Sequence, residues 1–179
     1  MKNNTDPQPR KQRFDFLAGG GEMGERIRGF AWRDTSLGAP EKWPQTLRTA
    51  LRIILGSRYP MFIWWGRDLL HLYNDAYIPV LGKRHPFAAL GLPAPEVWAD
   101  VWPVVGPQTE EVLREGRASW NEERLLVMER NNFIEETYFT FSYSPIPDVG
   151  RRIGGIFCAV TEDTKKVLAR RRLKTLREL

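Results

Sequence analysis

Apolar residues along this chain recur first at helical spacing, then at strand spacing, and the switches mark its elements. In residues 22–32, Met23, Ile27, Phe30 and Ala31 share one helical face and predict a short amphipathic helix. Residues 43–57 form a stronger pattern: Pro44 suits a first turn, Leu47, Leu51 and Ile54 line one side, and Gly56 ends the run. The period then shortens. "PMFIWWG" (60–66) and "LLHLYN" (69–74) are apolar runs separated by "GRD", a hairpin signal. Asn74 or Asp75 can cap a short helix in "DAYIPVLGK", which Pro79 limits.

Pro86, Pro93, Pro95 and Pro103 break residues 84–103 into turns and short helical pieces. Residues 104–116 return to helix, closed by Gly116, and three further strands follow at 118–129, 136–146 and 151–161. In "YFTFSYS", Phe139, Phe141 and Tyr143 alternate with Thr140, Ser142 and Ser144, as on a half-buried strand. Clustered hairpins with intervening helices predict an α+β fold built on an antiparallel sheet. Before all of this, residues 1–21 are polar, rich in Pro and Asn, and end in "GGG", which predicts a disordered tail.

At 179 residues the chain suffices for one domain with flanking segments. Its single cysteine rules out an internal disulfide and suits a reducing compartment. It has no apolar run of membrane-spanning length and no signal peptide, so a cytoplasmic protein without membrane partners is expected. The net charge of +5 belongs largely to residues 162–179, where seven Lys/Arg face three acidic residues. Basicity confined to one helix reads as a solvated face, and nucleic acid is not an expected partner.

Catalytic constellations are missing from the sequence. His71, His85 and Cys158 lack metal-ligand spacing, and "GGGEMG" lacks the lysine of a phosphate loop. The pairs Glu110/Glu111, Glu122/Glu123 and Glu135/Glu136 are sequence neighbours, which point apart on helices and strands, so they make poor acid/base dyads. No enzymatic activity is expected of the chain itself.

The element order, "YNDAY" after the second strand, and "SYSPIPDVGRRIGGIFCAVTEDT" across the last two strands resemble a PAS domain of bacterial sensor proteins. The lead-in "SLGAPEKWPQTLRTALRIILGSRYPMFIWWG" resembles the start of PAS modules in sensor histidine kinases. The resemblance implies a five-stranded antiparallel sheet with helices on one face, an N-terminal helical extension over 22–57, a PAS core over 58–161 and a linker helix over 162–179. It also implies a cavity between the inner sheet face and the helices. Alternation groups Phe139, Phe141 and Tyr143 on one strand, and Ile156, Cys158 and Val160 on the next. The resemblance, with Pro145 where the family often has a proline after the pocket strand, implies that these faces are the cavity wall, with Trp98 and Trp102 as a lid and Asn74 and Tyr77 near the mouth. For each of these, simple core packing, or helix capping for Asn74, is the alternative.

Flavin-thiol members carry their reactive cysteine on a helix in an "NCR"-like motif, whereas Cys158 lies on the last strand. Haem-binding members need an axial His on the helical side, and His85 stands in the turn "KRHPF". A small organic ligand, or none, is expected ahead of flavin or haem. At the junction Thr161, Glu162, Asp163 and Thr164 would pass a signal from sheet to helix, with Thr161 or Asp163 capping that helix. Ala169, Leu173 and Leu176 form a fragment of a coiled-coil seam, and a helix packed on its own sheet is the competing reading. The pattern is unfinished at "KTLREL", so a linked downstream signalling domain and a homodimer through the terminal helices are expected. The functional expectation is a sensory module of a histidine kinase; a ligand-free interaction and dimerisation platform is the alternative.

Overall fold

The computed structural model describes residues 16–178. Two helices come first, α1 (Gly21–Gly29) and α2 (Gln45–Gly56), joined by a turn-rich connector. α2 buries Leu47, Ala50, Leu51 and Ile54, the spacing that drives an amphipathic helix onto a core. Pro44 stands immediately before the helix rather than inside its first turn. Residues 1–15 of the expected tail lie outside the described residues. The rest of that tail is ordered: Leu17 is fully buried and Phe16 packs against the core.

Five strands follow among the described residues: β1 (Met61–Trp65), β2 (Leu70–Tyr73), β3 (Asn121–Glu129), β4 (Ile134–Pro147) and β5 (Ile153–Glu162). They form one antiparallel sheet in the order β2-β1-β5-β4-β3. The last strand is therefore central, and its end delivers the chain from the middle of the sheet into α6 (Thr164–Arg177). Between β2 and β3 lie α3 (Ile78–Leu81), α4 (Ala94–Val97) and α5 (Trp102–Glu115), the last closed by left-handed Gly116, whose amide bonds the Val112 carbonyl at 2.9 Å.

Cross-strand pairs set the faces. Phe62 opposes Cys158 and Tyr73, Trp64 opposes Ile156 and His71, and Tyr143 opposes Cys158, so these residues share the inner face under the helices. Ile63 and Trp65 are buried on the other face, where Trp65 shares a cleft with Leu37 and Pro44 of the connector.

Two polar residues expected to cap their own helix do something else. Asp75 reaches back to α1, accepting from the amides of Glu22 (3.0 Å) and Met23 (2.8 Å). Those are the orphan donors of a helix N-terminus, and the carboxylate also suits the positive end of the helix dipole. A side chain at Gly21 would place its Cβ 1.9 Å from that carboxylate. Asn74 makes no cap either. Its amide donates to the carbonyls of Ile54, Ser57 and Tyr59 and accepts from the Met61 amide, stitching the end of α2 to β1.

Candidate functional site

Between the inner sheet face and the helices lies a cavity of about 40 Å³. Its walls include Phe62 and Trp64 of β1, Tyr77, Val80, Trp98, Val101 and Val105 from the helical side, and Leu126, Met128, Phe139, Phe141, Tyr143, Cys158 and Val160 from the other strands. None of these side chains carries a formal charge at neutral pH. Burial, and then the neighbouring Cys158, push the phenols of Tyr77 and Tyr143 well above their ordinary pKa. Burial likewise raises the Cys158 thiol, despite an opposing backbone hydrogen bond from Ser142. A protonated, fully buried thiol is a poor nucleophile. His85 is absent from this wall: its Nδ1 meets the Tyr73 hydroxyl (2.8 Å) and its Nε2 meets Glu22 (2.9 Å), tying α1 to the core. Among the described residues no three His, Cys, Asp or Glu side chains gather as metal ligands would.

A run of polar contacts leads from this wall to the last helix. The Arg84 guanidinium stacks over the Trp98 ring at 4.5 Å and bonds Asp100 (2.6 Å) and the Glu129 carbonyl (2.9 Å). Asp100 also accepts the Glu129 amide at 2.8 Å, so the turn around Trp98 is pinned to the end of β3. One residue on, Arg130 accepts the Lys83 amide at its carbonyl (2.9 Å) and forks onto Glu162 with bonds of 2.8 and 2.7 Å. Burial alone would raise the Glu162 carboxyl pKa, but Arg130 and Thr164 outweigh it and hold the group below its ordinary value.

The sheet-to-helix junction is correspondingly well tied. Thr161 meets the Tyr59 hydroxyl. Thr164 donates to Glu162 (3.0 Å) and accepts the Tyr138 amide (3.0 Å). Asp163 stands at the N-cap position, but its carboxylate accepts the Thr140 hydroxyl (2.6 Å) rather than a helix amide, so neither Thr161 nor Asp163 caps α6 with its side chain. Beyond the junction α6 lies along the outer sheet face. Val167 is buried, Glu123 of β3 holds Lys166 (3.1 Å) and Arg170 (3.0 Å), and Arg171 stacks over Tyr138 at 5.0 Å. The packed-helix reading is therefore the one that the fold adopts for the first two turns. Leu173 and Leu176 stay exposed.

Known structures share this arrangement. An RNA-binding light-oxygen-voltage receptor superposes with a TM-score of 0.52 and 16% identity, over 71% of this chain and 35% of its own. The phage VqmA–DPO complex gives 0.51 and 16%, over 72% of this chain and 58% of that one. The chain thus spans about a third and just over half of those two proteins. A PAS domain from Bordetella pertussis BvgS, 21% identical, overlaps 70% of this chain and 92% of its own length at a TM-score of 0.47. No protein-family model and no curated protein matches the chain. The two superpositions above 0.5 and the strand order, with helices between β2 and β3, carry the assignment. The chain has the PAS fold.

Seven residues nominated from sequence stand in the wall of the PAS cavity: Tyr77, Trp98, Phe139, Phe141, Tyr143, Cys158 and Val160. Three do not. Asn74 is consumed by backbone bonds, Ile156 is fully buried opposite Trp64, and Trp102 folds along its own helix against Gly106, where a Cβ would lie 2.7 Å from the indole nitrogen. Phe62, Trp64, Val80, Val101, Val105, Leu126 and Met128 were not nominated. For Phe62 and Trp64 the usable signal was pairing, since both stand on the same face as Cys158.

Proposed function

We propose that this chain is the sensory PAS module of a bacterial multidomain signalling protein, a histidine kinase being the parent that suits it. The module would respond to a small ligand or partner at the inner cavity and bias a linked downstream domain through α6. The observation carrying this reading is the unbroken run from Trp98 through Arg84, the β3–β4 turn and Arg130 to Glu162. A shift of the cavity wall that moves Trp98 would bear on the residues that anchor the last helix. Signalling of this kind requires the ligand to favour one of two arrangements of α6, because equal affinity shifts nothing. Exposed Leu173 and Leu176 offer the seam for a homodimer once α6 moves. A cytoplasmic setting goes with this role; no helix among the described residues is long and apolar enough to cross a membrane.

A second reading is favoured by the cavity itself. Room for about three waters is far below what flavin or haem needs. A PAS fold with a nearly solid interior would serve as a ligand-free interaction and dimerisation platform. Native mass spectrometry with a near-ultraviolet and visible spectrum separates the two: a coeluting mass or chromophore supports the sensor, and a bare, colourless dimer supports the platform. Sedimentation of the chain lacking residues 162–179 tests the helix. An unchanged oligomeric mass removes α6 from either role.

A further inference from the structure

His71 is fully buried on β2, and neither of its ring nitrogens has a hydrogen-bond partner among the described residues. The indole nitrogens of Trp64 and Trp98 are also buried and unpartnered, and each of these rings lies 6.4 Å from the imidazole. Phe62 at 5.4 Å and Tyr77 at 5.7 Å complete an aromatic box around His71. Native cores seldom gather four orphaned polar atoms in one place, because each has given up a hydrogen bond to water. A phenylalanine at position 71 would fill the same box with no such penalty. The polar set therefore calls for a second arrangement in which it finds partners.

The neighbouring cavity defines those partners. His71 does not itself line it, but its ring neighbours Phe62, Trp64, Tyr77 and Trp98 do, and the wall, half aromatic and half aliphatic or thiol, holds no charged group. Burial drives the His71 pKa down to about 3, so the imidazole is neutral and supplies no countercharge. The unsatisfied groups are mainly donors: two indole N–H groups and one imidazole N–H, against a single imidazole acceptor.

We infer that the cavity opens to take a small, uncharged, planar molecule bearing a carbonyl or ring-nitrogen acceptor and one donor, bound between Trp64 and Trp98 by their indole N–H groups and, once the wall has parted, by the His71 ring behind it. This rests on the sensory reading and names its ligand class. A six-membered ring exceeds the present volume, so Trp98 has to swing aside to admit it. Trp98 is the ring that Arg84 covers, and binding therefore acts on the first member of the run that leads to α6.

The test uses the full chain and three probes: 2-pyridone, which has the stated donor and acceptor, benzene as the apolar match, and benzoate as the anion. Indole N–H resonances report the site. The expected result is a saturable shift of the Trp64 and Trp98 signals by 2-pyridone, with an affinity about tenfold or more above that for benzene or benzoate, the worth of one well-placed hydrogen bond. His71→Phe is expected to raise the unfolding midpoint while lowering 2-pyridone affinity by about tenfold or more. Trp98→Phe keeps a ring in place and is expected to lose the same affinity without unfolding. Equal binding of benzene would overturn the polar recognition and leave the sensory reading standing. Failure of all three probes to bind, or a lowered midpoint for His71→Phe, would overturn the inference itself. Loss of the sensory reading shows separately, as an α6 truncation with no effect on assembly.

Discussion

Arg130 grips Glu162 with both terminal guanidinium nitrogens, at 2.8 and 2.7 Å, and so fastens the β3–β4 turn to the last residue of β5. The same guanidinium reaches Glu135 at 3.2 Å through Nε, and the Arg130 side chain is only 9% exposed. A planar fork engaged on two carboxylates is not replaced by a lysine ammonium. Arg130→Met should destabilise the domain by about 1–3 kcal/mol, below the range for a fully buried pair because Glu162 retains some solvent. Arg130→Lys should recover only part of that loss. Urea unfolding of the three proteins checks both statements, and an Arg130→Met midpoint equal to the parent's would refute them.

Glu123 makes the docking of α6 sensitive to acid. It occupies a β-bulge with φ +44°, an uncommon conformation for a non-glycine residue. Hydrogen bonds from Arg170 and then Lys166 lower its pKa from 4.5 to about 2. A carboxyl depressed in the folded state contributes stability above its unfolded pKa and loses it as pH falls through the folded value. α6 should therefore stay docked from neutral pH to about 4.5 and loosen progressively as pH approaches about 2. Glu123→Gln should loosen it at neutral pH, as should high salt acting on these partly solvated pairs. Amide exchange over residues 166–171 reads the release. Protection that ignores pH, salt and the substitution alike would mean that Val167 and the Arg171–Tyr138 stack, not the Glu123 pairs, hold the helix.

What the sequence disclosed divides along physical lines. Alternation in "YFTFSYS" has a phase, so Phe139, Phe141 and Tyr143 were legible as one face, while the assignment of that face to the cavity came from the PAS resemblance. The buried side of α2 and the stop at Gly116 were legible too. "MFIWW" is apolar throughout and has no phase, which hid Phe62 and Trp64 until the pairing with β5 was known. Asn74 and Asp75 were legible as polar turn residues but not by their partners. Capping chemistry is the same for any nearby amide or carbonyl, and Asp75 finds its amides more than fifty residues away. The docked state of α6 depends on a bulge that re-aims Glu123, and no periodicity announces a bulge.

Gly82 tests the contact between the helical lid and the β3–β4 turn. Its φ is +57°, and a Cβ there would lie 2.7 Å from the Arg130 carbonyl oxygen and 2.8 Å from Asn131 Oδ1. The Lys83 amide bonds that same carbonyl at 2.9 Å, so the backbone cannot retreat without breaking the bond. Gly82→Ala should lower stability by about 1–3 kcal/mol through backbone strain and the displaced turn. Thermal unfolding measures it, and a midpoint within error of the parent would show that the turn yields freely.

Asn74 separates a structural staple from a pocket residue. Its amide nitrogen serves the carbonyls of Ile54 (3.0 Å), Ser57 (3.2 Å) and Tyr59 (2.8 Å), while its oxygen takes the Met61 amide at 3.1 Å. Asn74→Ala strands these buried backbone groups and should cost about 2–4 kcal/mol. Asn74→Asp should cost more at neutral pH, because it turns a carboxylate oxygen toward three carbonyl oxygens and supplies no donor. Lowering the pH should recover part of the Asp variant's loss, since the protonated acid regains one donor. A residue at the mouth of the cavity would behave differently, altering ligand affinity and leaving the unfolding midpoint nearly unchanged. The staple makes the opposite demand: a large fall in midpoint, Asp worse than Ala, and partial rescue by acid for Asp alone.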